Sequence, residues 1–304
     1  VIKLVAVDMD GTLLGEDARV SARNLAAIQA AERAGVQFVI GTGRRHSYAM
    51  RVLRELELTR ENVLITSNGA VVRTVGSELI ETTRMATATA RWLAGHVAEF
   101  RDALVVTFDR VGADGDDARG ALVVEGLEDL HRSIARWMEA NAAYIEVVRP
   151  IEEALDGDAP IQMMLCGTVE RMRRAEARLL EDARVVSVGR VPGNGVAPEI
   201  QLARTEYAER DLSIVDILPA GCSKGAALLR LARSRGIEPR EMMAIGDNWN
   251  DLSMLEVVGV PVLMENAPED LKDVARARGW AMAERNTEDG VAKVVEEMLV
   301  VGVG

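Results

Sequence analysis

Cysteine and histidine are scarce in this chain: 304 residues contain two cysteines and three histidines. Cys166 and Cys222 supply neither a disulfide framework nor the paired spacing of a zinc site. His46, His96 and His131 stand in unrelated contexts, which argues against a histidine-based catalytic triad or zinc centre, and each is read as a surface or packing residue. Positive charge is also short. Against 48 acidic residues there are 36 Lys and Arg, a net charge of −12. That balance argues against a nucleic-acid surface and leaves any anionic ligand dependent on local cations. No apolar run approaches the roughly 18–20 residues of a membrane span. No charged, apolar and small-residue leader opens the chain, so no membrane partner and a cytoplasmic location are expected. The chain starts at Val1 rather than Met, so a few leading residues are expected to lie outside this numbering.

What is present is a hydrophobic content of 48%, enough for sizeable cores in about two domains. The most informative segment is Asp8-Met9-Asp10-Gly11-Thr12-Leu13-Leu14, directly after the apolar run Leu4 to Val7. A buried strand ends there and two carboxylates emerge one residue apart. The carboxyl ends of strands in a parallel α/β sheet are where ligands bind. Two acidic groups at such an end suit a hard divalent cation and, with it, a phosphoryl group.

Three distant segments supply complementary parts. Val39-Ile40-Gly41-Thr42-Gly43-Arg44 is a strand running into a small-residue loop, where the Thr42 hydroxyl and the Gly43 amide can bind phosphate oxygens. Cys222-Ser223-Lys224-Gly225-Ala226 opens a helix with Lys224 in its first turn. The helix dipole disfavours a cation there, so the lysine makes sense facing an anion. Ala244 to Asp251 is again strand then loop, with Asp247 and Asp251 four residues apart. The nucleotide-binding alternatives fail: Gly41 to His46 lacks the third glycine of a dinucleotide fingerprint, and Gly221 to Gly225 lacks the long loop of a P-loop.

Residues 1–83 alternate strand and helix. Ser21 is expected to cap a helix burying Leu25 and Ile28, Gly35 to end it, and strands to follow at Val36 to Ile40 and Val63 to Thr66. The rhythm resumes from 219: helix 223–235, strand 242–245, a short helix from 251, and strand 260–264. Pro268 is placed at a first helical position and Gly279 at the helix end, before a strand at Trp280 to Ala283 and a helix over 287–299. This βαβ pattern predicts an α/β, doubly wound parallel-sheet (Rossmann-like) core. Between its halves, 84–218 reads as an inserted α+β domain. Strands are expected at Leu104 to Phe108, Ala121 to Val124, Ile145 to Val148, Ile161 to Cys166 and Val185 to Val188, with helices at 87–100, 128–140 and 168–182. Gly112 to Gly120 reads as an exposed hairpin loop. Its Asp114, Asp116 and Asp117 lack the spacing and terminal Glu of a calcium loop. Arg171, Arg173 and Arg174 are read as a solvated helix face.

The four motifs resemble those of the haloacid-dehalogenase-like hydrolases, specifically the Cof-type phosphatases with a type IIB cap. Ile65-Thr66-Ser67-Asn68-Gly69-Ala70, the run GDNWNDLSML from Gly246 to Leu255, Asn266-Ala267-Pro268 and Thr287 to Ala292 extend the likeness. It covers 1–83 and 219–304 well, and the middle in length and alternation only.

The resemblance implies that Asp8 is the nucleophile, forming an aspartyl-phosphate, and that Asp10 protonates the leaving oxygen and then deprotonates water. It implies Mg²⁺ held by the Asp8 side chain, the Asp10 backbone carbonyl and Asp247, with Asp251 orienting metal waters or Lys224. Thr42, Gly43, Lys224 and Asn250 would bind the phosphoryl oxygens. Residues 84–218 would form a cap that excludes water and selects the substrate. The expected activity is hydrolysis of a small phosphorylated metabolite, a sugar phosphate first. A phosphosugar mutase and a non-catalytic phosphate-binding regulator are the alternatives. The GDNWNDLSML form favours the phosphatase, and the intact Asp8/Asp10 pair argues against the regulator. A homo-oligomer is compatible with the sequence, which does not fix the oligomeric state.

Overall fold

Apolar, β-branched runs bounded by turn residues become strands, and the helices between them carry apolar faces back onto the sheet. The computed structural model describes residues 1–56, 58–111, 116–126, 134–187 and 196–302. His131 and Asp114, and part of the expected helix 128–140, lie outside them.

In chain order the elements begin with β1 (Leu4–Asp8), α1 (Ala22–Arg33), β2 (Gln37–Gly41), α2 (His46–Leu53), β3 (Val63–Thr66), β4 (Val71–Thr74) and β5 (Leu79–Thr82). There follow α3 (Thr87–His96), β6 (Leu104–Thr107), β7 (Leu122–Val124), α4 (Ala135–Asn141), β8 (Ile145–Val147), β9 (Gln162–Gly167), α5 (Val169–Leu179), β10 (Val185–Ser187), β11 (Ile200–Tyr207) and β12 (Leu212–Pro219). The chain returns with α6 (Lys224–Ser234), β13 (Met242–Gly246), α7 (Leu252–Leu255), β14 (Val260–Met264), α8 (Glu269–Arg278), β15 (Ala281–Ala283) and α9 (Gly290–Gly302).

Two compact units result, Val1–Glu81 with Ser223–Gly304, and Thr82–Cys222. The first is built on a sheet ordered β15-β14-β13-β1-β2-β3-β4-β5. Its pairings from β15 to β3 are parallel, and β4 turns back antiparallel on β3. This is the α/β parallel-sheet core expected from the sequence. Val7, Ile28, Phe38, Ile40, Ile245 and Val295 are among the side chains that fill its interior. Ser21 caps α1, accepting from the Asn24 amide at 3.0 Å, and Gly35 follows with a φ of +82°. Ile28 is fully buried, whereas Leu25 is only partly so. His46 is a packing residue: burial, then Arg73 and Arg54, push its pKa down to about 4.

The second unit is a mixed sheet ordered β10-β11-β12-β9-β6-β7-β8. It is packed on one face by α3 and α5 through Leu93, Met172 and Leu179. Its two longest strands, β11 and β12, were not anticipated, nor were β4 and β5 of the first unit. Arg204, Glu206, Ser213 and Asp216 interrupt the apolar pattern that marks a strand, and Arg204 is instead satisfied by Glu176 at 3.1 Å. The expected solvated arginine face is partly paired, Arg171 with Asp102 at 2.6 Å and Arg173 with Glu206 at 2.8 Å. Pro268 is the cap of α8 rather than its first residue. The last helix begins at Gly290, because Asp289 turns left-handed at φ +57° and a short turn occupies 286–288.

Candidate active site

Parallel pairing of β1 with both β2 and β13 brings three loops together at the carboxyl ends of these strands. Asp8 is the last residue of β1 and is 4% exposed. The chain then turns through an irregular loop, Met9–Leu13, closed by the Leu14 amide on the Met9 carbonyl at 2.9 Å. Gly11 has a φ of +80°, and a Cβ there would fall on the Asp247 carboxylate. Glycine is therefore required twice, for its backbone angle and for the approach of Asp247.

Asp247 follows β13. Its Oδ1 accepts from the Thr12 hydroxyl at 2.8 Å. Asp251 is fully buried; its Oδ2 accepts from the amides of Asp247 and Asn248, both at 3.0 Å, which shapes the loop on which it sits. Lys224, in the first turn of α6, donates from Nζ to Asp8 Oδ1 and, at 2.6 Å, to Asp251 Oδ1. Its α6 neighbour Gly225 touches the Ser253 carbonyl so closely that a Cβ would overlap it, which seats the lysine helix against α7.

Beside this cluster, Thr42 is buried and its hydroxyl accepts from the Arg44 amide at 3.1 Å. A Cβ on Gly41, one residue earlier, would lie 3.6 Å from Lys224 Cδ, so the Thr42 loop abuts the lysine. The space above Gly43 is limited by the Asn68 side chain, whose Oδ1 accepts from Asn250 Nδ2 at 3.1 Å. Asn68 thus links the two loops proposed to bind phosphate. Only its place in the Ile65 to Ala70 segment pointed to it.

Asp8, Lys224, Asp247 and Asp251 are brought together by these contacts. The Asp10 side chain is not in that cluster: its carboxylate is gripped by Arg44 through two hydrogen bonds, 2.7 Å to Nε and 2.5 Å to Nη2. No chemical role for Arg44 follows from the sequence alone. The signal available was its position in the loop after β2, the neighbour of β1.

The cluster's charge is unbalanced. Three carboxylates, with one oxygen each lying within 4.8 Å of the others, face a single ammonium. Burial and then Asp251 push the Asp8 pKa well above the carboxylate range, with Lys224 opposing. Asp247 is pushed up to about 8 by the same two causes. Lys224 is raised, because Asp251 and Asp8 outweigh its burial. The donor set fits a hard divalent cation that takes oxygen ligands. Both Asp251 oxygens are engaged by Lys224 and backbone amides, which leaves Asp8 and Asp247 as the carboxylates with capacity to bind an ion.

These shifts carry a sign. A carboxylate whose pKa is raised on folding lowers stability as pH rises from its unfolded value, near 4, through its folded one. Below about pH 6.5 the buried, neutral His46 works in the opposite direction, so metal-free protein should lose melting temperature between about pH 6.5 and 8, and Asp247→Asn should flatten that slope. A wild-type melting temperature that climbs over this window would contradict the charge imbalance.

A family of sequences described as haloacid dehalogenase-like hydrolase matches residues 5–295. The 5-amino-6-(5-phospho-D-ribitylamino)uracil phosphatase YwtE of Bacillus subtilis (strain 168) is 30% identical over 315 aligned residues, spanning 98% of each chain. Among solved structures, a haloacid dehalogenase-like hydrolase from B. subtilis is similar with a TM-score of 0.74 at 25% identity, covering 97% of this chain and 99% of that one. The subclass IIB sugar phosphatase BT4131 has a TM-score of 0.72 at 22% identity, over 97% and 98% of the two chains, a likeness of fold.

Proposed function

Because the chain belongs to the haloacid dehalogenase-like hydrolases and is a phosphatase, we propose that it is a Mg²⁺-dependent phosphomonoesterase working through an aspartyl-phosphate on Asp8. The observation that carries this reading is the buried cluster in which Lys224 holds Asp8 and Asp251 while Asp247 stands beside them. Asp8 and Asp247, with the Asp10 backbone carbonyl, would hold the ion. Bound there, Mg²⁺ supplies the charge neutralisation that lets a carboxylate approach a phosphate dianion.

The side chains do the rest. Lys224 keeps one Asp8 oxygen fixed and presents positive charge to the phosphoryl group. The Thr42 hydroxyl, the Gly43 amide and Asn250 complete the set of donors for the equatorial oxygens. Asp10 gives a proton to the leaving oxygen as the ester bond breaks, and takes one from the water that hydrolyses the acyl phosphate. Arg44 holds both oxygens of that carboxylate in this structure, so Asp10 must leave Arg44 to exchange protons at the phosphoryl group. Asp251 holds Lys224 and the Asp247 loop.

The substrate we favour is a small phosphorylated metabolite, a sugar phosphate first. The named activities of the relatives, a phosphoribitylaminouracil phosphatase and a sugar phosphatase, support that class. Release of inorganic phosphate from several dozen metabolite esters with Mg²⁺ tests it, and no release from any of them would refute it. EDTA should abolish turnover and Mg²⁺ restore it, while Ca²⁺ inhibits, because calcium prefers more ligands at longer distances. Undiminished activity in EDTA would remove the metal from the mechanism.

We assign substrate choice to the 84–218 insert. A chimera carrying the corresponding stretch of the B. subtilis relative should adopt that protein's substrate ranking, with kcat/KM ratios moving about tenfold or more. Its Mg²⁺ requirement should stay unchanged. A folded chimera that kept the parent's ranking would place specificity in core loops such as Arg44 to Tyr48.

A further inference from the structure

Asn266 follows β14, and Asn286 follows β15; neither has a part in the chemistry above. Asn266 uses all of its amide. Its Nδ2 donates to the Gly11 carbonyl at 2.8 Å and lies 3.5 Å from Asp247 Oδ2, while its Oδ1 accepts from the Asn286 amide at 3.2 Å. The Asn286 side chain donates to the Leu14 carbonyl at 2.7 Å. Two asparagines from adjacent parallel strands thus hold the carbonyls at the middle and the end of the Asp8 to Leu14 loop.

This arrangement fixes more than a turn. Thr12 donates to one Asp247 oxygen and Asn266 approaches the other, so the rotation of that carboxylate is set from both sides. The same Asn266 amide fixes Gly11, the residue after Asp10, and thereby the direction of the loop's carbonyls. The backbone of Gly11 is held left-handed at φ +80° with Asp247 against it. Asn266, together with Thr12, therefore sets how the nucleophile loop stands relative to Asp247.

We propose that Asn266, braced by Asn286, is the positioning residue that holds the Asp8 to Leu14 loop and Asp247 in the relation a divalent cation needs. It binds no substrate and no ion itself. The proposal rests on the Mg²⁺-dependent reading above. Loss of an outer partner that orients a metal ligand typically weakens metal binding about 10–100-fold. Loss of a merely structural hydrogen bond lowers stability without changing the metal requirement.

The test compares wild type with Asn266→Ala by titrating Mg²⁺ alone and following melting temperature without substrate, and then by kinetics. For Asn266→Ala the Mg²⁺ midpoint should rise about tenfold or more in both titrations. At saturating Mg²⁺, KM for the ester should stay within about twofold, because the phosphate donors are untouched. Without metal, amide exchange at Leu14 should quicken, since its bond to Met9 closes the loop that Asn266 holds. An Asn266→Ala protein that folds and keeps a wild-type Mg²⁺ midpoint overturns the proposal, whatever its melting temperature. If that variant does not fold, Asn286→Ala carries the same test. It loses the Leu14 contact but keeps the backbone amide on Asn266, so a smaller rise of about threefold is expected, and no rise overturns it. A wild-type protein with no Mg²⁺ response would overturn the metal-dependent reading instead, and the wild-type control identifies that case.

Discussion

Asp8→Asn should abolish turnover, with kcat lower by about 10⁴-fold or more, while the metal-free protein becomes no less stable than wild type. The two halves of this result come from one feature. Asp8 is buried beside Asp251 and Asp247, and its raised pKa means that its charge is held at a cost in the metal-free site. Exchanging the carboxylate for an amide of the same shape removes that charge and leaves Lys224 paired with Asp251 at 2.6 Å. The amide is not a nucleophile, and no other carboxylate can take its place: Asp247 is fixed by Thr12, Asp251 by two backbone amides, and Asp10 by Arg44. Initial rates with Mg²⁺ and melting curves in EDTA give both readings. Retention of more than a few per cent of wild-type kcat would sink the covalent mechanism. A sharp drop in metal-free melting temperature would contradict the electrostatics.

The sequence made β3 and β14 legible to the residue, because Val63 to Thr66 and Val260 to Met264 are compact apolar runs between turn signals. It was weakest where strands carry charge. In β11, Arg204 and Glu206 alternate with buried Ala203 and Thr205, and their partners Glu176 and Arg173 come from α5. A hydropathy pattern cannot register a polar position that is satisfied by another element. The same holds in the candidate site. Asp8, Asp247, Asp251 and Lys224 were visible because each closes or opens an element with an unusual polar residue. Arg44, Asn68 and Asn266 were not assigned roles, because each acts through a partner 34 to 255 positions away. Their residue types alone are ordinary loop chemistry. Parallel pairing of β1 with β2 and β13 converts those distances into hydrogen bonds.

Lys224→Met should be both inactive and destabilised, the second effect being largest without Mg²⁺. The lysine side chain has no solvent exposure, and it joins two carboxylates whose own exposure is 6% and 0%. Methionine fills a similar volume, so the loss is electrostatic rather than a cavity. Removing one partner from a buried ion pair typically costs about 3–5 kcal/mol, because the other charge is left without compensation. Here Asp8 can take up a proton, which limits the loss at low pH and lets it grow as pH rises, in the direction expected of a carboxylate with a raised pKa. Mg²⁺ should recover part of the stability by supplying the missing positive charge, but not the activity, because the phosphoryl group would still lack the lysine. Lys224→Arg should fail as well: the side chain is fully buried, and a planar guanidinium cannot replace a compact ammonium between two oxygens. The double variant Lys224→Met/Asp8→Asn separates the causes. It should be more stable in EDTA than Lys224→Met alone, although equally dead, because one of the two stranded charges is gone. A double variant no more stable than the single one would show that Lys224 acts through packing, and that the charge balance assigned to this cluster is wrong.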